Sequence, residues 1–345
     1  MLDARYPFFS AYLKGQEARL VTSDHINNLS KVSNPRDVLD TIKETDIGSY
    51  LDGVLVETFD ALDEHLWMYL GGCIERIEWF KPVPTDILKI SKAYIEKYDV
   101  LNIKAVLQGI TTGEQTRRIP IGIIHNLGLL DVLFTTENVE SVIELLTGCK
   151  LGNYASALEG YQIDGDAEPR LLAEARLDEE YYQNLLNMAR GITDGAILAK
   201  TFGIIIDTKN LQIMLRALIG GTGTEATKYI IKVGYMLSSE AVKELLTLKL
   251  SDIPGKVEHL YQDMAQEIVS SYDRTKNIAV VEEIIEKNKF KLSQEILSPR
   301  VLSPLMIVWY LIIKEMEIRN LRLILKAIFD NIPVEEIMDY LVLPS

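Results

Sequence analysis

The chain has 345 residues, of which 48% are hydrophobic and 25% charged, a profile that excludes disorder over most of its length and leaves room for two or three domains. A formal net charge of -14 excludes the basic stripe on which nucleic-acid binding and docking to anionic bilayers depend, and it suits basic patches on protein partners instead.

The opening stretch, MLDARYPFFSAYLKG, has no basic segment followed by an apolar one and does not read as a signal peptide. Thr22 and Ser23 precede Ile26, Leu29 and Val32 at helical spacing, the pattern of a capped helix start. Further on, YDVLNIKAVLQG from Tyr98 aligns without gaps with IDTKNLQIMLRA from Ile206 and MEIRNLRLILKA from Met316. Each copy carries an acid (Asp99, Asp207, Glu317), Asn three residues on (Asn102, Asn210, Asn320) and a Leu beyond that (Leu107, Leu215, Leu325). The copies stand 108 and 110 residues apart, so the chain is a repeat of roughly 110-residue units. Ile103, Val106, Leu107 and Ile110 fall at i, i+3, i+4 and i+7, and Leu211 to Leu218 and Leu321 to Ile328 repeat the spacing. That lays one apolar stripe along a central helix in each unit. The acid and Asn lie one turn apart, where they are expected to share a structural hydrogen bond.

Thr135 and Thr136, then Ser238 and Ser239, again precede helical spacing, with Glu137 and Glu240 expected in the first turns. Thr111, Thr112 and Gly113 read as the loop after the first repeat helix. Gly220, Gly221, Thr222 and Gly223 follow the second, and Phe329 to Pro333, with Asp330 and Asn331, follow the third. These three loops are the candidate partner contacts, and the Gly-rich second one, without an evident counterpart, is the strongest candidate among them. The stretch Asp164 to Arg170 reads as a loop, and Glu335 to Leu341 as a short terminal helix. The expected fold class is all-α, in three similar helical domains spanning 1–113, 114–223 and 224–345.

Motifs for chemistry fail one by one. The string Gly221-Thr-Gly-Thr-Glu-Ala226 fits a dinucleotide fingerprint, but it follows a helix rather than a strand. Asp164-Gly-Asp166 begins like a calcium loop, yet Pro169 and Ala175 stand where Gly and Glu are required. The four histidines, His25, His65, His125 and His259, are scattered, and Cys73 and Cys149 read as two buried thiols in a reducing compartment. The longest apolar run, Val301 to Ile313, is broken by Ser303 and Pro304 and falls short of the about 20 residues a bilayer requires. A soluble cytoplasmic chain without catalytic site, metal or cofactor is expected.

Together these residues resemble the C subunits of the archaeal and bacterial A/V-type rotary ATPases, homologous to the d subunits of eukaryotic V-ATPases. The carriers are the stretch Tyr6 to Leu29 with its Ala18-Arg19-Leu20, Thr45-Asp46-Ile47-Gly48 followed by Tyr50-Leu51, the three acid–x–x–Asn helices, and the tail Ile332-Pro333-Val334-Glu335-Glu336-Ile337. The resemblance covers nearly the whole chain, least between about Asp164 and Arg176 and between about Ile253 and Ser298. It implies a funnel of three helical domains with pseudo-threefold symmetry, seated peripherally on the cytoplasmic face of the proteolipid ring and holding the end of a central-stalk shaft made of the D and F subunits. Torque transmission, with no nucleotide bound, would be its function. A helical scaffold without a rotary role is the alternative, although solenoids usually repeat at 20–50 residues.

Overall fold

In the computed structural model, residues 5–79, 83–114, 116–162 and 167–343 are described, and their regular structure is all helical, with no strand among them. The helices run α1 (Arg5–Glu17), α2 (Ser23–Leu29), α3 (Pro35–Thr41), α4 (Asp46–Leu51), α5 (Phe59–Trp79), α6 (Thr85–Thr112), α7 (Ile123–Asn126), α8 (Leu130–Phe134), α9 (Val139–Gly148) and α10 (Gly152–Leu158). They continue with α11 (Ala167–Arg190), α12 (Gly195–Gly220), α13 (Ser239–Leu245), α14 (His259–Thr275), α15 (Ala279–Leu297) and α16 (Leu305–Phe329). Three tight 3-10 stretches, Gly223–Tyr229, Leu250–Gly255 and Val334–Tyr340, follow α12, α13 and α16.

The repeat helices are α6, α12 and α16, with 28, 26 and 25 residues. At 1.5 Å per residue each is roughly 40 Å long. The stripes are the core: Ile103, Leu107, Leu211, Leu215, Leu321 and Leu325 are all buried. Such side chains contribute about 1.5–3 kcal/mol each. In each copy a long helix precedes the repeat helix, α5 before α6, α11 before α12 and α15 before α16. Two compact units emerge, one of residues 1–91 with 290–345 and one of 92–289, whose boundaries fall inside α6 and α15.

Helix starts follow the capping signals, with corrections. Thr22 accepts from the His25 N–H as expected, and Ser238 accepts from Ala241 at 3.1 Å. At α9 the cap is Asn138, which accepts from Ser141 at 2.9 Å, not Thr135 or Thr136. Those threonines instead donate to Val132 and Leu133 carbonyls at the end of α8, so Glu137 lies before the cap and Glu140 takes the first turn. The Thr45-Asp46 turn is the start of α4, with Thr45 accepting from Gly48 at 3.0 Å.

Helix ends correct the loops more deeply. Thr111 and Thr112 belong to the last turn of α6, where their hydroxyls donate to Leu107 and Gln108 carbonyls. Gly113, Gly221 and Asn331 all have left-handed φ (73°, 72° and 58°), and each stands fourteen residues after its acid. This conformation stops a helix by turning the next N–H back onto its last carbonyls. Gly221 therefore has a counterpart in both other copies, contrary to the sequence expectation, and its glycine serves the helix stop. From Ala167 the stretch read as a loop is already α11, while the calcium-like start at residues 164–166 lies outside the described residues. The short terminal helix is present as the 3-10 stretch Val334–Tyr340.

Candidate functional site

The acid and Asn of each copy bond other partners rather than one another, correcting the expected pairing. Each Asn holds a single downstream residue by both backbone groups. Asn102 accepts from the Ile119 N–H at 2.9 Å and donates to its carbonyl at 2.8 Å. Asn210 does the same to Ile231 (3.0 and 2.8 Å), and Asn320 to Val342 (3.0 and 2.6 Å). An amide is the one side chain that offers a donor and an acceptor side by side to a peptide edge, which explains why Asn recurs.

The acids hold the chain slightly further on. The Asp99 carboxylate accepts from Ile123 and Ile124 at 2.8 and 2.9 Å, at the start of α7. That of Asp207 accepts from Tyr235, Met236 and Leu237 (3.0, 2.7 and 3.2 Å) and from the Tyr261 hydroxyl at 2.7 Å. Glu317 accepts from the Val21 N–H at 2.8 Å, 296 residues away in sequence and one residue before the Thr22 cap. So the acid of one copy seats the chain entering the next copy's short helices, and the third copy's acid seats the chain's own beginning.

Glycine makes room for the shorter acids. A Cβ at Gly122 or Gly234, each just before the first clasped N–H, would overlap the carboxylate of Asp99 or Asp207. Gly122 also has φ 114°, a conformation closed to L side chains. Leu20 occupies this place before Val21, and there the acid is the longer Glu317. Gly122→Ala is expected to cost about 3 kcal/mol or more, from strain and overpacking together. A thermal or denaturant midpoint equivalent to a loss of less than about 0.5 kcal/mol would contradict the close approach.

All six acid and Asn residues are buried, and burial raises the pKa of each acid. Asp99 is pushed up to about 7 by burial against the pull of the Ile124 and Ile123 N–H groups, with the Glu96 carboxyl one turn away adding to the rise. For Asp207 the Tyr261 hydroxyl and three N–H groups oppose the rise, and for Glu317 the Lys314 ammonium does. A carboxyl of raised pKa binds its proton more tightly folded than unfolded, so its contribution is full below about pH 4 and is lost as pH climbs through 7. Stability of the parent chain is therefore expected to fall relative to Asp99→Asn between about pH 4 and 7, by at most about 1.4 kcal/mol per pH unit. Parallel stability–pH curves for the two would refute this.

A second set of threefold contacts joins neighbouring copies, five residues after each acid. Lys104 on α6 pairs with Asp178 on α11, Gln212 on α12 donates to Glu282 on α15 at 3.4 Å, and Arg322 on α16 binds both oxygens of Asp63 on α5. Lys209 also reaches Asp178 at 2.6 Å; burial would raise that carboxyl, but Lys209 and Lys104 hold it below the ordinary range. The repeat-equivalent rings of Tyr94 and Phe202 stack with centroids 6.3 Å apart. In the three pairs made five residues after the acid, the repeat helix meets the long helix of the copy that follows, with the third meeting the first, whereas Lys209 and Asp178 lie in one copy and Tyr94 and Phe202 join two repeat helices. None of these partners was evident from sequence.

Of the candidate partner loops, Gly113 edges a groove of about 370 Å³ lined by Val106, Ile110, Glu114, Arg118, Phe134 and Glu137. Thr112, Gly113, Gly220, Gly221, Thr222, Asn331 and Ile332 are exposed at the helix ends, with Gly223 half-buried. Both cysteines are buried free thiols. Among the described residues no three His, Cys, Asp or Glu side chains are grouped to hold a metal, and no helix is long and apolar enough to cross a membrane.

This geometry defines a class: a repeat-built helical protein whose buried polar side chains are spent on holding its own backbone and joining successive copies. Within that class the chain belongs to the ATP synthase (C/AC39) subunit family, whose model matches residues 9–340. It is similar to the C subunit of the A-type ATP synthase of Methanocaldococcus jannaschii, 27% identical over 98% of this chain and 86% of the relative. The proteins of the same name from Methanothermobacter thermautotrophicus (24% identical; 93% and 83% covered) and Pyrococcus horikoshii (23%; 97% and 89%) are similar over comparable spans.

Proposed function

We propose that this chain is a non-catalytic rotor subunit of an A/V-type ATPase or ATP synthase, a socket that couples the central-stalk shaft, made of the D and F subunits, to the membrane proteolipid ring. In this reading its three repeat units, 1–113, 114–223 and 224–345, close around a pseudo-threefold axis, and the body sits peripherally on the cytoplasmic face of the membrane. Torque passes through it in either direction, and it binds no nucleotide, metal or other cofactor.

The observation that carries the reading is the cyclic order of the joints. The first copy holds the second, the second holds the third, and the third, through Glu317–Val21 and Arg322–Asp63, holds the first. A part that transmits torque needs each copy to grip its neighbour, and these joints supply that grip in the proposed role. Family membership supplies the rotary context, and the net negative charge suits basic patches on protein partners. The helix-end residues Thr111–Gly113, Gly220–Gly223 and Asp330–Asn331 remain the proposed partner contacts.

Co-expression with the shaft pair tests the assignment. The expected result is a stable complex of this chain with the shaft, which then captures the detergent-solubilised ring. Failure of both steps would return the protein to a helical scaffold with no rotary role.

A further inference from the structure

The three joints have one design but unequal strength. Asp99 holds two backbone N–H groups and Asp207 three with a tyrosine hydroxyl, whereas Glu317 holds the single N–H of Val21. The clasped stretches differ in apolar anchoring as well. Ile121 and Ile124 are buried beside the first clasp, and Ile230, Ile231 and Leu237 beside the second. In Arg19–Thr22 only Val21 is buried, with Arg19 and Thr22 exposed and Leu20 half-buried.

Tethering differs too. The segments seated by Asp99 and Asp207 lie 24 to 30 residues down the chain from their acids, so each is returned to its clasp by a short connection. Val21 is 296 residues from Glu317, and loop-closure entropy grows with that separation. Arg19 itself is tied to Asp46 at the start of α4 (2.8 Å), not to α16. The second oxygen of Asp46 is buried without a hydrogen-bond partner, and Asp46 lies close enough to push the Glu317 pKa upward. Closed, this joint therefore keeps two carboxyl groups, those of Asp46 and Glu317, near one another.

We propose that Arg19–Thr22 is a latch on the third repeat helix, and that it opens before either of the other two joints. Opening lifts the Val21 N–H from Glu317 and admits water to Glu317, Lys314 and Asp46, while the joints made by Asp99 and Asp207 stay closed. The fold then has one designated seam, where the end of the repeat meets its beginning. This holds whether or not the rotary reading does, since it rests on the joints alone.

Native-state amide hydrogen exchange on the full chain at neutral pH tests it. After correction for intrinsic rates, the Val21 amide is expected to exchange roughly tenfold faster, or more, than those of Ile123, Ile124, Tyr235 and Met236. The same order is expected in native-state trypsin digestion, with cleavage after Arg19 preceding cleavage after Arg118 and Lys232. A Val21 amide protected as strongly as Ile124 and Met236, or first cleavage at Arg118 or Lys232, would overturn the latch.

Discussion

Replacing Lys314 by methionine is expected to destabilise the chain by about 3–5 kcal/mol, although the two side chains are similar in length and methionine is the more apolar. Lys314 is completely buried on α16, where its ammonium donates to the Tyr69 hydroxyl at 2.7 Å and to Glu317 at 3.0 Å. Glu317 in turn holds Val21. Without the cation the carboxylate stays buried with one N–H for company, and it answers by taking a proton. The variant should therefore lose further stability as pH rises above the ordinary carboxylate range, because burial already raises this pKa against the pull of Lys314. The double variant Lys314→Met, Glu317→Gln removes both charges and keeps an acceptor for Val21. Denaturant unfolding at about pH 5 and pH 8 is expected to show it losing clearly less than the single variant, the sign of a coupled pair. Equal losses for the single and double variants would mean that the pair has no such role.

Asp207→Ala carries a comparable expected effect, about 4–5 kcal/mol. It strands the N–H groups of Tyr235, Met236 and Leu237 and the Tyr261 hydroxyl, each at about 1–3 kcal/mol if unsatisfied, with water recovering part of the sum. Asp99→Ala strands two N–H groups and should lose less. The order of the two losses is the informative result: an Asp99→Ala variant less stable than Asp207→Ala would show that donor number does not set joint strength.

Much of this was legible in the sequence. The apolar stripe with its acid and Asn marked three helices and one repeat, and the helices, their buried Leu residues and the Ser238 and Thr22 caps stand where the pattern puts them. What the acid and Asn bind was not legible, because most of their partners are backbone groups 17 to 30 residues away and every residue carries the same backbone. One trace was present. Gly122 and Gly234 stand before the clasped residues and Leu20 stands in their place where Asp becomes Glu, so the acid's length and its neighbour's size change together. The same holds for Gly113, Gly221 and Asn331: left-handed backbone is open to glycine and asparagine alike, which hid the match between a Gly-rich loop and an Asn-Ile-Pro one. The cross-copy pairs escaped because Lys104, Gln212 and Arg322 differ in kind and their acids lie on helices of other copies.

The most direct test of the central claim is to reconstitute the rotary complex with this chain omitted and measure ATP hydrolysis and ion transport together. If the chain is the socket between shaft and ring, hydrolysis persists without it while ATP-driven ion transport falls to background, and adding the chain back restores transport. Transport that continues at its full rate in the chain's absence would contradict the account.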